Sequence, residues 1–133
     1  MTASSLSSRE AHLVADILRE SDAIYEFLGD TDLDGLWSDK LKVYAVQKAL
    51  QNVCEACIQL DGKKGQERFA AILPDQSLPL MKDIGNRLRH DYGQADIAQM
   101  WSDIRQTLPS LRADAEAILS AQRRLHGRPD DPA

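Results

Sequence analysis

The densest group of chemically useful side chains lies between Asn86 and Tyr92, in the sequence NRLRHDY. His90 can take up and release protons near neutral pH, because the ordinary pKa of histidine is near 6.5. Arg87 and Arg89 carry permanent charges on planar forks that fit phosphate oxygens. On a helix, Asn86 and Arg87 precede His90 by about one turn, so the spacing predicts that they share its face. This combination suits the cleavage of RNA without a metal ion.

Cleavage through the ribose 2′-hydroxyl needs a proton acceptor, cations beside the phosphate and an acid for the leaving 5′-oxygen. His90 would carry the protons, Arg87 would stabilise the phosphate, and Asn86 and Tyr92 would support them. Tyr92 could also stack on a base. Arg87, Arg89 and Lys82 would form a local cationic patch for RNA. The alternative is that these residues have no catalytic role, because a histidine beside arginines on a surface helix is often only solvated polar surface.

Two cysteines, Cys54 and Cys57, form the sequence CEAC. If they lie one helical turn apart, they suit neither a disulfide framework nor a zinc site, which usually has four ligands. We expect reduced core residues, with a reactive thiol as the alternative. The sequence predicts no metal site and no cofactor.

Length and charge limit the class of protein. The chain has 133 residues and a net charge of −5, and this length predicts one domain, over residues 1–125, followed by a flexible tail over residues 126–133. Because general nucleic-acid binders are usually basic, RNA would have to meet a local patch. No apolar run is long enough to span a bilayer, and the first residues do not resemble a signal peptide. We expect a cytoplasmic protein.

The elements that position these residues are predicted to be helices throughout, since apolar residues recur at steps of three and four. Ser7 and Glu10 form a capping box that starts the first helix, and Gly29 ends it. Pro109 should kink or split the last helical region. The predicted segments are a first helix to residue 28, a turn over 30–35, a helix over 36–60, a short helix over 67–73, a helix from 79 through 90, and a helical region over 97–119.

We expect an all-α fold, a compact antiparallel bundle of about five helices. In the helix over residues 36–60, apolar residues recur every seven positions on two adjacent stripes. These stripes should face the centre of the bundle. The predicted core contains Val43, Val46, Leu50, Val53, Ile84, Leu88, Trp101, Ile104 and Ile118.

The spacing Asn86-x-x-x-His90-x-Tyr92 resembles the signature of the HEPN superfamily, and specifically its HepT-like toxin branch. That signature is Arg-Asn-x-x-x-His-x-Tyr. The resemblance covers roughly residues 9–120. Further similar stretches are Ala49 to Leu60 with Glu55-Ala56, Asp96 followed by Met100-Trp101, and Leu108-Pro109-x-Leu111.

The resemblance implies a homodimeric helical bundle in which two His-x-Tyr motifs line one cleft. It implies a ribonuclease toxin of a type II or type VII-like toxin–antitoxin pair, acting on tRNA or mRNA. The partner would be a minimal nucleotidyltransferase antitoxin, which can attach AMP to the motif tyrosine, here Tyr92. The added phosphate and base would occupy the place that RNA needs.

One position departs from the signature. Gly85 stands five residues before His90, where the resemblance places the catalytic arginine. Arg87 could substitute from a different angle of the helix. The alternative is a non-catalytic helical module that binds a nucleotidyltransferase. A glycine at this position would also let two helices approach closely.

Overall fold

The computed structural model describes residues 6–89 and 94–126, and over these residues the chain forms seven helices and no strand. The predicted all-α bundle is confirmed, although two of the helices have only five residues each. Residues 90–93 and most of the predicted tail lie outside the described residues. The helices are α1 (Ser8–Leu28), α2 (Leu33–Trp37), α3 (Lys40–Leu60), α4 (Arg68–Ile72), α5 (Leu78–Leu88), α6 (Gln94–Gln106) and α7 (Leu108–His126).

The predicted ends of α1 are confirmed. The Ser7 hydroxyl accepts from the Glu10 amide at 3.0 Å, and the Glu10 carboxylate accepts from the Ser7 amide at 2.9 Å. These two bonds satisfy amide groups that a helix start leaves without partners. At the other end, Gly29 adopts φ +52° and donates its amide to the Tyr25 carbonyl. A residue without Cβ adopts this conformation readily.

The prediction of one helix over residues 36–60, after a turn over 30–35, is wrong at its start. Asp32 caps the short helix α2 by accepting from the Gly35 amide, and Asp39 caps α3 by accepting from the Lys42 amide. Each aspartate offers the backbone a local acceptor, so a helix begins after each of them. The apolar stripe hides this break, because Leu36 in α2 is as buried as the residues of α3.

Helix α3 lies between α1 and α5, and both run antiparallel to it. Toward the end of α3, the Gln59 carbonyl accepts from Arg9 near the start of α1. On the side of α5, Gly85 lies against Cys54, and the Leu88 carbonyl accepts from Gln51 one turn earlier on α3. Thus α3 is the element on which the end of α5 rests.

The predicted core is confirmed in seven of its nine members, which are at most 6% exposed. Trp101 and Ile118 are partly buried and pack against this core from its edge. Cys54 and Cys57 are buried and free, as predicted for core residues. Burial raises the pKa of the Cys54 thiol to about 12, which keeps it protonated. Pro109 lies in the first turn of α7, where no amide donor is required, and the helical region is split just before it.

Two further features concern the described residues alone. None of the helices there is long and apolar enough to cross a membrane. Over the same residues, no three His, Cys, Asp or Glu side chains lie close enough together to hold a metal ion.

Candidate active site at the end of α5

The candidate site is built on the last turn of α5. Ser77 caps this helix by accepting from the Leu80 amide at 3.2 Å, and Pro79 lies in its first turn. At the other end, the Leu88 carbonyl accepts from Gln51 Nε2 at 2.8 Å and from Gln47 Nε2 at 3.2 Å. A carbonyl in the last turn lacks a partner within its own helix, so α3 supplies two. These bonds fix the end of α5 two residues before His90.

His90 and Tyr92 lie outside the described residues, as does Asp91 between them. Their roles therefore stay predictions from the sequence. The structure does describe both flanks of this segment, because α5 ends at Leu88 and α6 begins at Gln94. Contacts between α5 and α6 consequently determine where the two ends of the motif lie.

Arg87 makes the main contact of this kind, because it faces α6 and pairs with Asp103. Its Nη1 lies 2.9 Å from Asp103 Oδ2, and its Nη2 lies 3.5 Å from Oδ1. Gln99 donates to the same carboxylate at 3.1 Å, and Asp83 approaches the guanidinium at 3.4 Å. The hydrogen bond to Asp103 raises the pKa of Arg87 further above its ordinary value. Arg87 is therefore engaged with carboxylates on two sides.

Asn86 and Arg87 do not share a face, contrary to the helical spacing argument. Asn86 is exposed, and its Oδ1 accepts from Arg89 Nη1 at 2.9 Å. Lys82, Asn86 and Arg89 follow one another at steps of four and three residues, and all three are exposed. They form an outward stripe of α5, whereas Arg87 points to the neighbouring helix.

The two arginines differ in how freely they could meet a phosphate. Arg89 lies 3.7 Å from Glu55, and both side chains are more than half exposed. Such exposed pairs contribute about 0–1 kcal/mol, so a phosphate could displace Glu55 at little cost. The Asp103 side chain, by contrast, is only 8% exposed. Moving Arg87 away would leave that buried carboxylate without its cation, which is costly.

Gly85 occupies the buried side of α5. A Cβ built at this position would lie 3.4 Å from Cys54 Cβ on α3. The absence of a side chain therefore allows α5 and α3 to pack closely, as proposed from the sequence. It follows that a long side chain at position 85 would enter the contact between these helices rather than open solvent.

Sequence reasoning missed the residues that hold the site in place. Gln47 and Gln51 stand one turn apart on α3 among buried residues, and that polar pair at i, i+4 is a usable signal. Asp103 carries no such signal, because it lies 16 residues from Arg87 on another helix. Only the packing of α6 against α5 brings the two together.

Comparison with known proteins identifies the family that the sequence resembles. The family model described as "Ribonuclease HepT-like" matches residues 17–118. A Methanocaldococcus jannaschii protein named "Putative RNase MJ1380" is 25% identical over 103 residues, which cover 77% of this chain and 90% of that protein. No solved structure matches the chain at a comparable level of significance.

Proposed function

This chain belongs to the HepT-like ribonuclease family, and on that premise we propose that it is a metal-independent endoribonuclease with His90 at its centre. The ribose 2′-oxygen attacks the adjacent phosphorus, and the bond from phosphorus to the 5′-oxygen breaks. His90 accepts the proton of the 2′-hydroxyl, and the departing 5′-oxygen takes up a proton from water. The products are a 2′,3′-cyclic phosphate and a 5′-hydroxyl.

The observation that supports this proposal most directly is the bracing of both helices that flank the motif. Gln47 and Gln51 hold the last turn of α5 to α3, and Arg87 holds the same turn to Asp103 of α6. A catalytic group works best when the elements that carry it are rigidly placed. The motif segment, residues 90–93, directly follows the end of α5 that is held in this way and leads into α6, the helix that carries Asp103.

In this proposal the cations of α5 have two different roles, binding of RNA and positioning of the helix. Arg89 and Lys82 lie on the outward stripe of α5 and attract RNA phosphates, while Asn86 orients Arg89 through its 2.9 Å hydrogen bond. Arg87 was predicted to be catalytic, but its pairing with Asp103 supports a positioning role. So few cations give a narrow footprint with a measurable dependence on salt.

The protein further serves, in our proposal, as the cytoplasmic toxin of a toxin–antitoxin pair, with a minimal nucleotidyltransferase as antitoxin. The antitoxin attaches AMP to Tyr92. The new phosphate adds negative charge that would pair with Arg87 or Arg89, the groups that RNA needs. Exposure of Arg89 and Lys82 supports this part of the proposal, because both charges are accessible to an anion.

We also propose a twofold homodimer. Leu41 is 80% exposed and Tyr44 is 57% exposed, and both lie on α3 within two turns of Gln47, which contacts the end of α5. Covering these apolar side chains with a second copy would bring two motifs together and double the local charge. Light scattering at micromolar concentration should give about twice the chain mass of 14.8 kDa. A monomer would contradict the shared cleft.

A second candidate function is a non-catalytic helical partner of a nucleotidyltransferase. The observations that favour it are Gly85 at the position of the family's arginine and the pairing of Arg87 with Asp103. In this case the stripe of α5 serves as a docking surface and no RNA is cut.

Cleavage by purified protein separates the two functions. Wild type, His90→Ala and the control His12→Ala are incubated with total tRNA and with mRNA in EDTA. His12 is an exposed histidine of α1 and therefore a matched control. We expect cleavage by wild type and His12→Ala, a loss of about 10²–10⁴-fold in His90→Ala, and cyclic phosphate ends. Absence of cleavage by the wild-type protein supports the second function, and loss of genuine activity in EDTA contradicts the metal-independent mechanism.

Mass spectrometry tests the modification. The chain is co-expressed with its proposed nucleotidyltransferase antitoxin, and one or more AMP adducts should map to Tyr92. They should vanish in Tyr92→Phe and persist in Tyr44→Phe, which alters an exposed tyrosine elsewhere. Inhibition without any adduct would show that the antitoxin acts by binding alone.

A further inference from the structure

A cavity lies away from the candidate active site, between the end of α1, the second half of α6 and the start of α7. Its volume is about 320 Å³, and it lies partly beneath Tyr25, Trp101 and Arg105. Leu28 and Ile104 are among its apolar lining residues. Ligand pockets usually span about 300–1,000 Å³, so this one suits a single small planar group.

Two aromatic side chains remain accessible at this cavity. Tyr25 is 37% exposed, and Trp101 is only half-buried although the sequence predicts a core residue. Aromatic rings that are not needed to fill the core offer flat faces to which a planar ligand can bind. The exposed part of the Trp101 ring is therefore available to contact a ligand at this cavity.

Two cations accompany these rings. The guanidinium of Arg105 lies 5.8 Å from the centroid of the Trp101 ring, and Lys42 donates to the Thr31 hydroxyl at 2.7 Å beside the cavity. Within the described part of the chain, neither cation forms an ion pair. Two cations without carboxylate partners at one cavity are compatible with an anionic ligand, although the acidic residues Asp30 and Asp32 stand on either side of Thr31 in the sequence.

A carboxylate at the same end of α1 does not cancel this charge. Asp22 is bound by Arg112, which also contacts Glu116 at 3.2 Å. The positive charge of Arg112 is therefore taken up by its own two carboxylates, and the charges of Arg105 and Lys42 remain available.

We propose that this cavity binds one nucleotide unit. The base lies against Tyr25 and against the Arg105 guanidinium, which lies over the Trp101 ring. The phosphate of the same unit binds Arg105 and Lys42. Bases stack on aromatic rings and on arginine planes, and an arginine fork binds phosphate oxygens. The unit is either a residue of the RNA substrate, in which case the inference rests on the proposed function, or a free nucleotide.

The position of the cavity agrees with a subsite for RNA. Helix α6 begins at Gln94, directly after the motif segment, and Trp101 follows seven residues later. At 1.5 Å per residue, the two points lie about 10 Å apart along the helix. A short single strand that lies along α6 from its start can therefore span the distance to the cavity.

Binding of RNA that cannot be cleaved tests the proposal independently of catalysis. A labelled pentanucleotide with 2′-O-methyl groups lacks the attacking hydroxyl, and fluorescence anisotropy measures its affinity. Arg105→Gln and Tyr25→Ala should each weaken binding about tenfold. Arg123→Gln, which removes the same charge from an exposed arginine of α7, should change it less than twofold. Circular dichroism checks that the variants are folded.

Competition with 5′-AMP and 5′-UMP identifies the source of the nucleotide. Displacement only by longer RNA assigns the cavity to the substrate, whereas a mononucleotide that binds as tightly as the pentamer assigns it to a free nucleotide. No binding of any probe at 1 mM, or equal affinity in Arg105→Gln and Arg123→Gln, overturns the proposal. Binding that depends on Arg105 in a protein that cuts no RNA would preserve this site and contradict only the proposed nuclease.

Discussion

Two ion pairs join helices in nearly the same way at different places in the molecule. Arg68 of α4 contacts the Glu10 carboxylate at 2.7 and 3.0 Å, and Arg87 of α5 contacts the Asp103 carboxylate at 2.9 and 3.5 Å. In both pairs the carboxylate side chain is no more than 10% exposed. The chemistry of pairing therefore does not distinguish a structural contact from a functional one.

The pairs differ in what lies beside them. Glu10 also caps α1, so its pair joins the start of α1 to the start of α4. Arg87 precedes His90 by three residues, and its side chain is 33% exposed, against 16% for Arg68. We infer that the pair of Glu10 with Arg68 stabilises the fold, whereas the pair of Arg87 with Asp103 also places the motif. Substitutions at these two pairs should therefore separate an effect on stability from an effect on activity.

The largest effect on stability is expected for Glu10→Gln. The hydrogen bond from Arg68 is the main cause that lowers the pKa of Glu10 to about 2, from an ordinary 4.5. Because one pKa unit corresponds to about 1.4 kcal/mol, the charge of Glu10 contributes on the order of 3 kcal/mol. Urea unfolding should show a loss of that order, while RNA cleavage by the folded variant stays unchanged. A loss below about 1 kcal/mol would mean that this pair behaves like one on the surface.

The same contribution should depend on pH in a defined direction. Because the pKa of Glu10 is lowered in the folded state, its stabilisation is complete above about pH 4.5 and is lost as the pH falls toward 2. The difference in unfolding free energy between wild type and Glu10→Gln should therefore shrink between about pH 5 and pH 2. Other carboxylates titrate in both proteins and largely cancel. A difference that stays constant over this range would contradict the assigned pKa.

An intermediate effect, mainly on activity, is expected for Asp103→Asn. The variant keeps the shape of the side chain but removes the charge that holds Arg87, so α5 and α6 should shift relative to each other. We expect cleavage to fall about 10- to 100-fold, since small misplacements of catalytic groups are costly. The loss of stability should be smaller than in Glu10→Gln, because Arg87 is more exposed than Arg68.

Glu10→Gln is the internal control for Asp103→Asn, because it loses more stability without losing activity. Unchanged cleavage in Asp103→Asn would make the second pair as purely structural as the first. Increased cleavage would show that Arg87, once released, acts on the substrate itself. Either result would contradict the positioning role proposed for Arg87.

The features of the fold that could be predicted from the sequence are those set by residues close together in the chain. The capping box at Ser7 and the split before Pro109 depend on neighbouring residues, and both predictions are confirmed. The break before Asp39 is also local, but the apolar stripe of α3 continues across it and hides the cap. Helical stripes likewise predicted most of the core, because burial follows periodicity.

The candidate site was less predictable, because its contacts join distant parts of the chain. Spacing on an isolated helix placed Arg87 with Asn86, but the packing of α6 gives Arg87 a partner 16 residues away. Arg89 meets Glu55 of α3 in the same way. No local pattern encodes these contacts, so the sequence could offer candidate residues for the site but not the partners that hold them.

The smallest effect is expected at Gly85, where the comparison concerns packing instead of charge. In Gly85→Ala, the new Cβ lies 3.4 Å from Cys54 Cβ, which is a close but ordinary contact. Alanine favours the helix by about 1 kcal/mol over glycine, which offsets any slight crowding. Urea unfolding should therefore change by less than about 1 kcal/mol, and cleavage should change less than twofold. Gly85→Arg, which restores the residue of the family signature, should instead destabilise the protein by about 2 kcal/mol or more, because it forces a charged side chain between α5 and α3. A stable Gly85→Arg variant with higher activity would show that this position reaches the substrate, and would contradict the buried packing role.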